Sequence, residues 1–246
     1  MGRYRFAVEY LGTPFAGWQI QPGQATVQAE LERALGVCLR VPTAVTGAGR
    51  TDAGVHASGQ VAHFECDADL DVRRVQGSVN ALTSEAVFIR RLEACAPDFH
   101  ARFSALSRLY RYRIALRPTA LRGRFSWHPG MPVDADLFRA ALREVIGARD
   151  FVNFSVPRED GKSTLCEVLR AEAERDEAFL TVTLEADRFL HKMVRSIVGA
   201  CFDVARGALP GTLIKDILAG AYPGERTWAP AHGLCLEKVV YRDYEY

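Results

Sequence analysis

A glycine-rich stretch of fourteen residues, from 47 to 60, constrains this chain more than any other part of its sequence. Four of the fourteen are glycine, and the stretch contains one acid, one arginine and one histidine: Asp52, Arg50 and His56. Glycine loses more conformational freedom on folding than other residues, so such a cluster indicates tight turns or a close backbone approach. Two interpretations stay open: a loop that presents Asp52 for chemistry, or a hairpin-like connection in which Asp52 bonds its own backbone.

Composition predicts a soluble globular protein. Of its 246 residues, 48% are hydrophobic and 25% are charged, which suits one large domain or two of ordinary size. No apolar run approaches the ~18 residues of a transmembrane helix. The N-terminus enters an alternating pattern and lacks the apolar core of a signal peptide. We therefore expect a cytoplasmic protein with no membrane partner.

The cysteines and histidines predict no metal site. The six cysteines are widely spaced and form no Cys-x-x-Cys pair, as expected of reduced packing residues in a cytosolic protein. Asp52, His56, His63 and Cys66 are neighbours in sequence, but their spacing matches no known zinc-binding pattern.

Basic residues are unevenly distributed, although the net charge is only +1. Nine arginines lie between residues 90 and 124, against two acids, Glu93 and Asp98. Such a local basic field predicts that a polyanion binds one face of the protein. Genomic base composition would explain why arginine outnumbers lysine 27 to 4, but it would not explain the clustering.

Hydrophobic periodicity predicts two α/β halves, residues 1–103 and 104–246. The first half runs strand, helix, strand, strand, helix, strand, the order of the split β-α-β unit in ferredoxin-like folds. Thr26 and Asp71 are predicted to cap its two helices, with Val72, Val75, Val79 and Leu82 inward on the second. The second half repeats this coarse order, with strands at 107–116, 164–174, 178–186 and 234–241, helices at 134–145, 189–205 and 212–219, and a polar turn at 158–161. We predict an α+β fold, with mainly antiparallel sheets joined around a central cleft.

The strand at 107–116 alternates arginine and tyrosine. Arg111 and Arg113 share one side, and Tyr110, Tyr112 and Ile114 share the other. Such a strand offers phosphate contacts beside stacking surfaces. The alternative is an ordinary sheet strand with an arginine-rich solvent face and a tyrosine core face.

Several catalytic motifs are missing, which narrows the chemistry. The sequence has neither a Gly-x-x-x-x-Gly-Lys-Ser/Thr phosphate loop nor a Gly-x-Ser-x-Gly nucleophile elbow. What remains is Asp52 two residues from Arg50, whose positive charge favours the carboxylate form. A positioned carboxylate in a partly dry cleft acts as a nucleophile or as a base, and the spacing does not choose between reactions.

Residues 49–57, followed by Gly59, Gln60 and Val61, resemble the signature of the tRNA pseudouridine synthase A family. Five further segments resemble motifs of that family in the same order, and together they span nearly the whole chain: residues 10–21, 27–32, 104–112, 189–199 and 229–236.

The resemblance implies isomerisation of uridine to pseudouridine in tRNA, at positions 38–40 of the anticodon stem-loop. It implies a homodimer that grips tRNA across both subunits, with no metal and no organic cofactor. Asp52 would be the essential acid, attacking the uracil ring or ribose C1′ or deprotonating the sugar. The implied roles of the other residues are these: Arg50 pairs with Asp52, Tyr110 stacks on the base and can transfer a proton, Arg195 holds Asp52 or a phosphate, and Leu234 lines the pocket.

The arginine-rich strand with Arg111, and the helix with Lys192 and Arg195, are predicted to contact phosphates. Two other function classes stay open from the residues: a non-catalytic RNA-binding module of the same fold, and a small-molecule lyase or isomerase. Intact Asp52, Arg50 and Tyr110 argue against the first, and the basic clustering argues against the second.

Overall fold

The computed structural model of the protein describes residues 2–156, 161, 163–242 and 244. The chain forms two compact units, one made by residues up to 106 together with those from 236 onward, the other by residues 107–235. The predicted halves, 1–103 and 104–246, differ from these units in the placement of the closing strand. The predicted polar turn at 158–161 lies outside the described residues, except for Gly161.

The first unit is a sheet with two helices. Its elements are, in chain order, β1 (Gly2–Tyr10), α1 (Val27–Leu39), β2 (Thr46–Gly47), β3 (His56–Cys66), α2 (Val72–Leu82) and β4 (Val87–Cys95). Strand β1 lies between β3 and β4 and is antiparallel to both, while the short β2 is antiparallel to β3. This confirms the predicted order of elements, and it is the arrangement of a split β-α-β unit.

The helices of the first unit begin at the predicted caps. Thr26 accepts a hydrogen bond from the Ala29 N–H (3.4 Å), and Asp71 accepts one from the Arg74 N–H (3.1 Å). Each cap satisfies a backbone donor that the first helical turn leaves without a partner. Of the four residues predicted to face inward on α2, only Val79 is buried.

The second unit is also a sheet covered by helices. Its elements are, in chain order, β5 (Ser107–Ala115), α3 (Ala135–Arg143), β6 (Gly147–Asp150), β7 (Leu165–Arg175), β8 (Phe179–Ala186), α4 (Met193–Ala205) and α5 (Leu213–Leu218). The strand order is β5-β8-β7-β6, and each neighbouring pair is antiparallel. Helix α3 packs against α4 and β7. Helices and mostly antiparallel strands in both units confirm the predicted α+β class.

Strand β9 (Leu234–Val240) closes the fold. It begins in the second unit, and from Leu236 it belongs to the first, where it lies beside β3. The Leu106 N–H donates to the Val240 carbonyl (2.8 Å) and ties the end of β9 to the end of the first unit's main segment. No helix within the described residues has the length and apolarity that would let it cross a membrane.

Two elements of the second unit differ from the sequence prediction. Strand β6 was not predicted, because its four residues, Gly-Ala-Arg-Asp, show no strand-like alternation. The helix predicted for 189–205 begins only at Met193. Lys192 has φ +61°, in the left-handed region, so a right-handed helix cannot run through it. The segment before α4, with His191 and Lys192, is therefore a turn and not part of the helix.

His63 is a buried histidine of β3 whose environment favours its neutral form. Its Nδ1 accepts the Ala101 N–H (3.2 Å), so protonation at this nitrogen would remove that bond. Burial, followed by the nearby His100 and Arg3, lowers the pKa of His63 from 6.5 to about 4. The unfolded chain therefore binds a proton at this site more readily than the folded one.

We expect the wild-type protein to lose about 2 kcal/mol more of its free energy of unfolding between pH 7 and pH 5 than the His63→Gln variant. The loss begins as the pH falls below 6.5, where the unfolded histidine takes up a proton, and it is complete near pH 4. Urea unfolding across this pH range measures the difference. Parallel pH profiles for the two proteins would contradict the assignment.

Candidate active site

The glycine-rich stretch forms the end of β2, a loop, and the start of β3. Within the loop, Arg50 is exposed, Thr51 is buried and Asp52 is half-buried. The Val55 N–H donates to the Asp52 carbonyl (3.1 Å), which closes a turn directly after the acid. Asp52 is therefore the first residue of this turn, and the buried Thr51 directly precedes it.

A second segment, residues 11–18, packs along this loop and fixes its backbone. The Trp18 N–H donates to the Thr51 carbonyl (3.1 Å), and the Gly54 N–H donates to the Phe15 carbonyl (3.3 Å). Each side of Asp52 is thus hydrogen-bonded to residues 11–18, which restricts the positions that its carboxylate can take.

The two segments approach so closely that side chains would not fit between them. A β-carbon on Gly12 would lie 2.0 Å from the Val55 carbonyl oxygen, and one on Gly17 would lie 2.6 Å from the Thr51 carbonyl oxygen. Gly17 also has φ +105°, which disfavours any residue with a side chain. The Gly12 N–H completes the contact by donating to His56 Nδ1 (3.1 Å).

Arg50 lies in the same loop as Asp52, two residues before it. Its side chain is exposed. Arg50 is therefore available to a ligand at the surface.

Strand β5 of the second unit shows the predicted alternation. Tyr110 and Tyr112 are buried, whereas Arg111 and Arg113 are half-buried on the other face. The ring of Tyr110 meets that of Phe189 edge to face, with centroids 5.2 Å apart and planes at 89°. The structure therefore does not bring Arg111 together with Tyr110.

Arg111 lies on a face that carries charges of both signs. Its cross-strand neighbour on β8 is Thr183, whose neighbour on β7 is Glu172. This arrangement matches the alternative interpretation of β5, an ordinary sheet strand with an arginine-rich solvent face and a tyrosine core face. The acidic side chains of β7 on this face reduce the positive electrostatic potential that the arginines of β5 produce.

Helix α4 and the segment that leads into β9 form a second rigid region. Arg195 donates from Nε to the Ala229 carbonyl (2.8 Å), and the Ala229 N–H donates to the Arg195 carbonyl (3.1 Å). Asp203 is buried and accepts from the Thr227 N–H (2.7 Å) and hydroxyl (2.8 Å). Arg206 also donates to it, at 3.0 Å. Four hydrogen bonds thus hold residues 227–229 against α4.

Leu234 is placed by the same segment. Tyr112 donates its hydroxyl hydrogen to the Pro230 carbonyl (2.9 Å), and burial raises the pKa of this phenol well above its ordinary value. A β-carbon on Gly233 would lie 2.6 Å from the Tyr112 ring, so the chain passes directly over the ring before Leu234. Leu234 itself is buried, and Lys192 is half-buried at the turn before α4.

Sequence reasoning missed Asp203, although it carried a signal. An acid inside the otherwise apolar second half of α4 is buried only where several donors surround it. The six cysteines form no disulfide. No cluster of three or more histidine, cysteine, aspartate or glutamate side chains suitable for a metal occurs among the residues that the structure describes.

A family model described as "tRNA pseudouridine synthase" matches residues 6–104 and 141–242. The chain belongs to the tRNA pseudouridine synthase family. The matched residues include the loop with Asp52, and also Arg195 and Leu234, whereas Tyr110 and Arg111 lie between the two matched stretches.

Similar chains come from several bacteria. The tRNA pseudouridine synthase A of Chlorobium luteolum is 41% identical over 245 residues, which cover 99% of this chain and 97% of that one. The protein of the same name from Syntrophotalea carbinolica is 37% identical over 244 residues, covering 98% and 97%. That of Frankia casuarinae is 42% identical over 247 residues, covering 97% and 89%. The protein is a pseudouridine synthase, an isomerase that modifies tRNA, as the sequence predicted.

We expect Gly199→Ala to lower the free energy of unfolding of this synthase by about 1–3 kcal/mol, because the added carbon must displace packed backbone. A β-carbon there would lie 1.8 Å from the Thr227 carbonyl oxygen. The matched control is Gly77→Ala in α2, where a β-carbon meets nothing within 4 Å. It should stabilise the protein by about 0.5–1 kcal/mol through helix propensity. Urea unfolding measures both, and equal shifts in the same direction would contradict the close contact.

Proposed function

We propose that this enzyme converts uridine to pseudouridine at positions 38–40 of the anticodon stem-loop of tRNA, with Asp52 as the catalytic carboxylate. The observation that carries the proposal is the placement of Asp52, the one acid among residues 47–60. It is half-buried at the start of a turn, and the backbone around it is hydrogen-bonded to Trp18 on one side and to Phe15 on the other. An acid held in this way keeps its orientation while its oxygens stay accessible to a nucleotide.

The reaction exchanges one glycosidic bond for another without change in composition. The bond from N1 of uracil to ribose C1′ breaks, and the bond from C5 to C1′ forms. The hydrogen leaves C5, and N1 takes up a proton. Asp52 attacks the uracil ring, attacks C1′, or removes a sugar proton, and each of these steps requires its ionised form and direct access to the nucleotide.

Residues of the second unit are proposed to hold the nucleotide. Tyr110 stacks on the target base and is a candidate for the later proton transfer, since its ring is fixed by the edge-to-face contact with Phe189. Arg195 holds Asp52 or a phosphate, with its Nε already bonded to the Ala229 carbonyl. Leu234 lines the pocket, and Arg50, exposed in the loop, occupies the space of the displaced base.

Phosphate contacts are proposed to offset the cost of removing the uridine from its stack, which is a few kcal/mol. Lys192 contributes from the turn before α4. Arg111 lies on the face of β5 opposite Tyr110, so its phosphate contact is remote from the target base. The enzyme is further proposed to act in the cytoplasm as a homodimer that grips tRNA across both subunits, without a metal or an organic cofactor.

We expect Asp52→Asn to lower the rate of pseudouridine formation at least about 10³-fold, because the amide can act neither as a nucleophile nor as a base. Unmodified tRNA labelled with tritium at uridine C5 reports the reaction through release of the label, and mapping of pseudouridines identifies the positions. Asp69→Asn is the matched control, since Asp69 is an exposed acid of the same unit. Conversion that persists in Asp52→Asn would remove Asp52 from its role, and product outside positions 38–40 would refute the site.

We expect Lys192→Gln to weaken tRNA binding and to make the plot of log affinity against log salt shallower by about 0.7–0.9, the contribution of one phosphate contact. Lys215→Gln is the control, because Lys215 is already paired with Glu144 at 3.4 Å. Filter binding at four salt concentrations measures both slopes. A slope for Lys192→Gln equal to that of the wild type would exclude a phosphate contact there.

A further inference from the structure

A hydrogen bond between two buried hydroxyl groups joins the end of β1 to the loop that carries Asp52. Tyr10 Oη lies 2.8 Å from Thr51 Oγ1, and the two residues are 3% and 7% exposed. They are separated by 41 positions in the chain, so the bond ties the loop to a strand in the middle of the sheet. Tyr10 is the last residue of that strand and is paired with Ala57.

Thr51 is held at its backbone as well as at its side chain. Its carbonyl oxygen accepts the Trp18 N–H at 3.1 Å. Two residues earlier, the Gly49 carbonyl accepts a hydrogen bond from Nε2 of the fully buried Gln60, at 2.7 Å. The chain from Gly49 to Asp52 therefore has three fixed points, which are the Gly49 carbonyl, the Thr51 hydroxyl and the Thr51 carbonyl.

We propose that the hydrogen bond between Tyr10 and Thr51 positions Asp52 for reaction, and that both residues are positioning residues of the synthase. This inference rests on the catalytic role proposed for Asp52. Threonine is branched at its β-carbon and has few χ1 rotamers, so a fixed hydroxyl also fixes the orientation of its backbone. Thr51 is buried and Asp52 follows it directly, so a rotation of Thr51 would displace the carboxylate of the next residue. Displacements of about 1 Å at a reacting group lower rates about 100-fold.

A second buried tyrosine on the same strand separates positioning from simple stabilisation. The Tyr4 hydroxyl donates to the Ala68 carbonyl (3.1 Å) and accepts the Leu70 N–H (3.1 Å). Tyr4 is 4% exposed and lies at the other end of β1, next to a turn without catalytic residues. Removing the Tyr4 hydroxyl removes these two hydrogen bonds from the folded protein, but it does not change the loop that carries Asp52.

The test is a double-mutant cycle of Tyr10→Phe and Thr51→Val, with Tyr4→Phe as the matched control. The measured quantities are the single-turnover rate of tritium release from C5, the Kd for tRNA and the melting temperature. We expect each single variant to react about 10-fold more slowly with a Kd within about 2-fold of wild type. The double variant should also be about 10-fold slower, because both changes remove the same bond. Tyr4→Phe should react at the wild-type rate.

A conservative variant checks the hydroxyl itself. Thr51→Ser keeps the oxygen and should recover most of the rate that Thr51→Val loses, and it keeps the test valid if Thr51→Val does not fold. Wild-type rates in Tyr10→Phe would overturn the inference, as would a double variant about 100-fold slower than wild type. If only this inference is wrong, the Asp52→Asn variant is still inactive. An active Asp52→Asn variant would instead refute the proposed function.

Discussion

The contact between two backbone segments, residues 11–18 and 51–56, is the constraint on which the rest of the site depends. Carbonyl oxygens of Thr51 and Val55 occupy the space where β-carbons of Gly17 and Gly12 would otherwise be. Only at such short range can the backbone of one loop provide hydrogen-bond partners to the other over several consecutive residues. The backbone on both sides of Asp52 is therefore held by hydrogen bonds to a segment that is distant in sequence.

The second unit applies the same physical solution to different elements. Gly199 on α4 admits the Thr227 carbonyl, and the buried carboxylate of Asp203 receives donors from Thr227 and Arg206. Burial of a carboxylate is costly unless such donors replace its water. Because these donors are present, the carboxylate fixes the segment that runs over the Tyr112 ring to Leu234. In each unit, a glycine lets two backbone segments come into contact. A buried polar side chain then fixes how the two segments are aligned.

Local sequence patterns predicted many of the helices and strands of this fold. They did not predict the long-range hydrogen bonds that hold the loops in place. Thr26 and Asp71 cap helices as predicted, since capping depends on a few adjacent residues. The alternation of β5 likewise predicted that Tyr110 and Arg111 lie on opposite faces of the strand, although it did not decide which face is buried. In contrast, apolar periodicity continued through residues 189–192, where the left-handed backbone of Lys192 ends it. The bonds from Tyr10 to Thr51 and from Asp203 to Thr227 link positions far apart in sequence, so no local pattern identifies them.

Strand β9 completes the sheet of the first unit, but the ribosome synthesises it only after the second unit. The ribosome makes β1 to β4 first, yet the strand that lies beside β3 emerges only after the other strands and the helices of the second unit. Contact there is close, since a β-carbon on Gly59 would lie 2.1 Å from the Glu237 carbonyl oxygen. Domains that are contiguous in sequence can fold as they leave the ribosome. Here the unit that carries Asp52 must wait for residues 107–235 to be translated, so a nascent chain cannot assemble the Asp52 loop against a finished sheet before the second unit has been made.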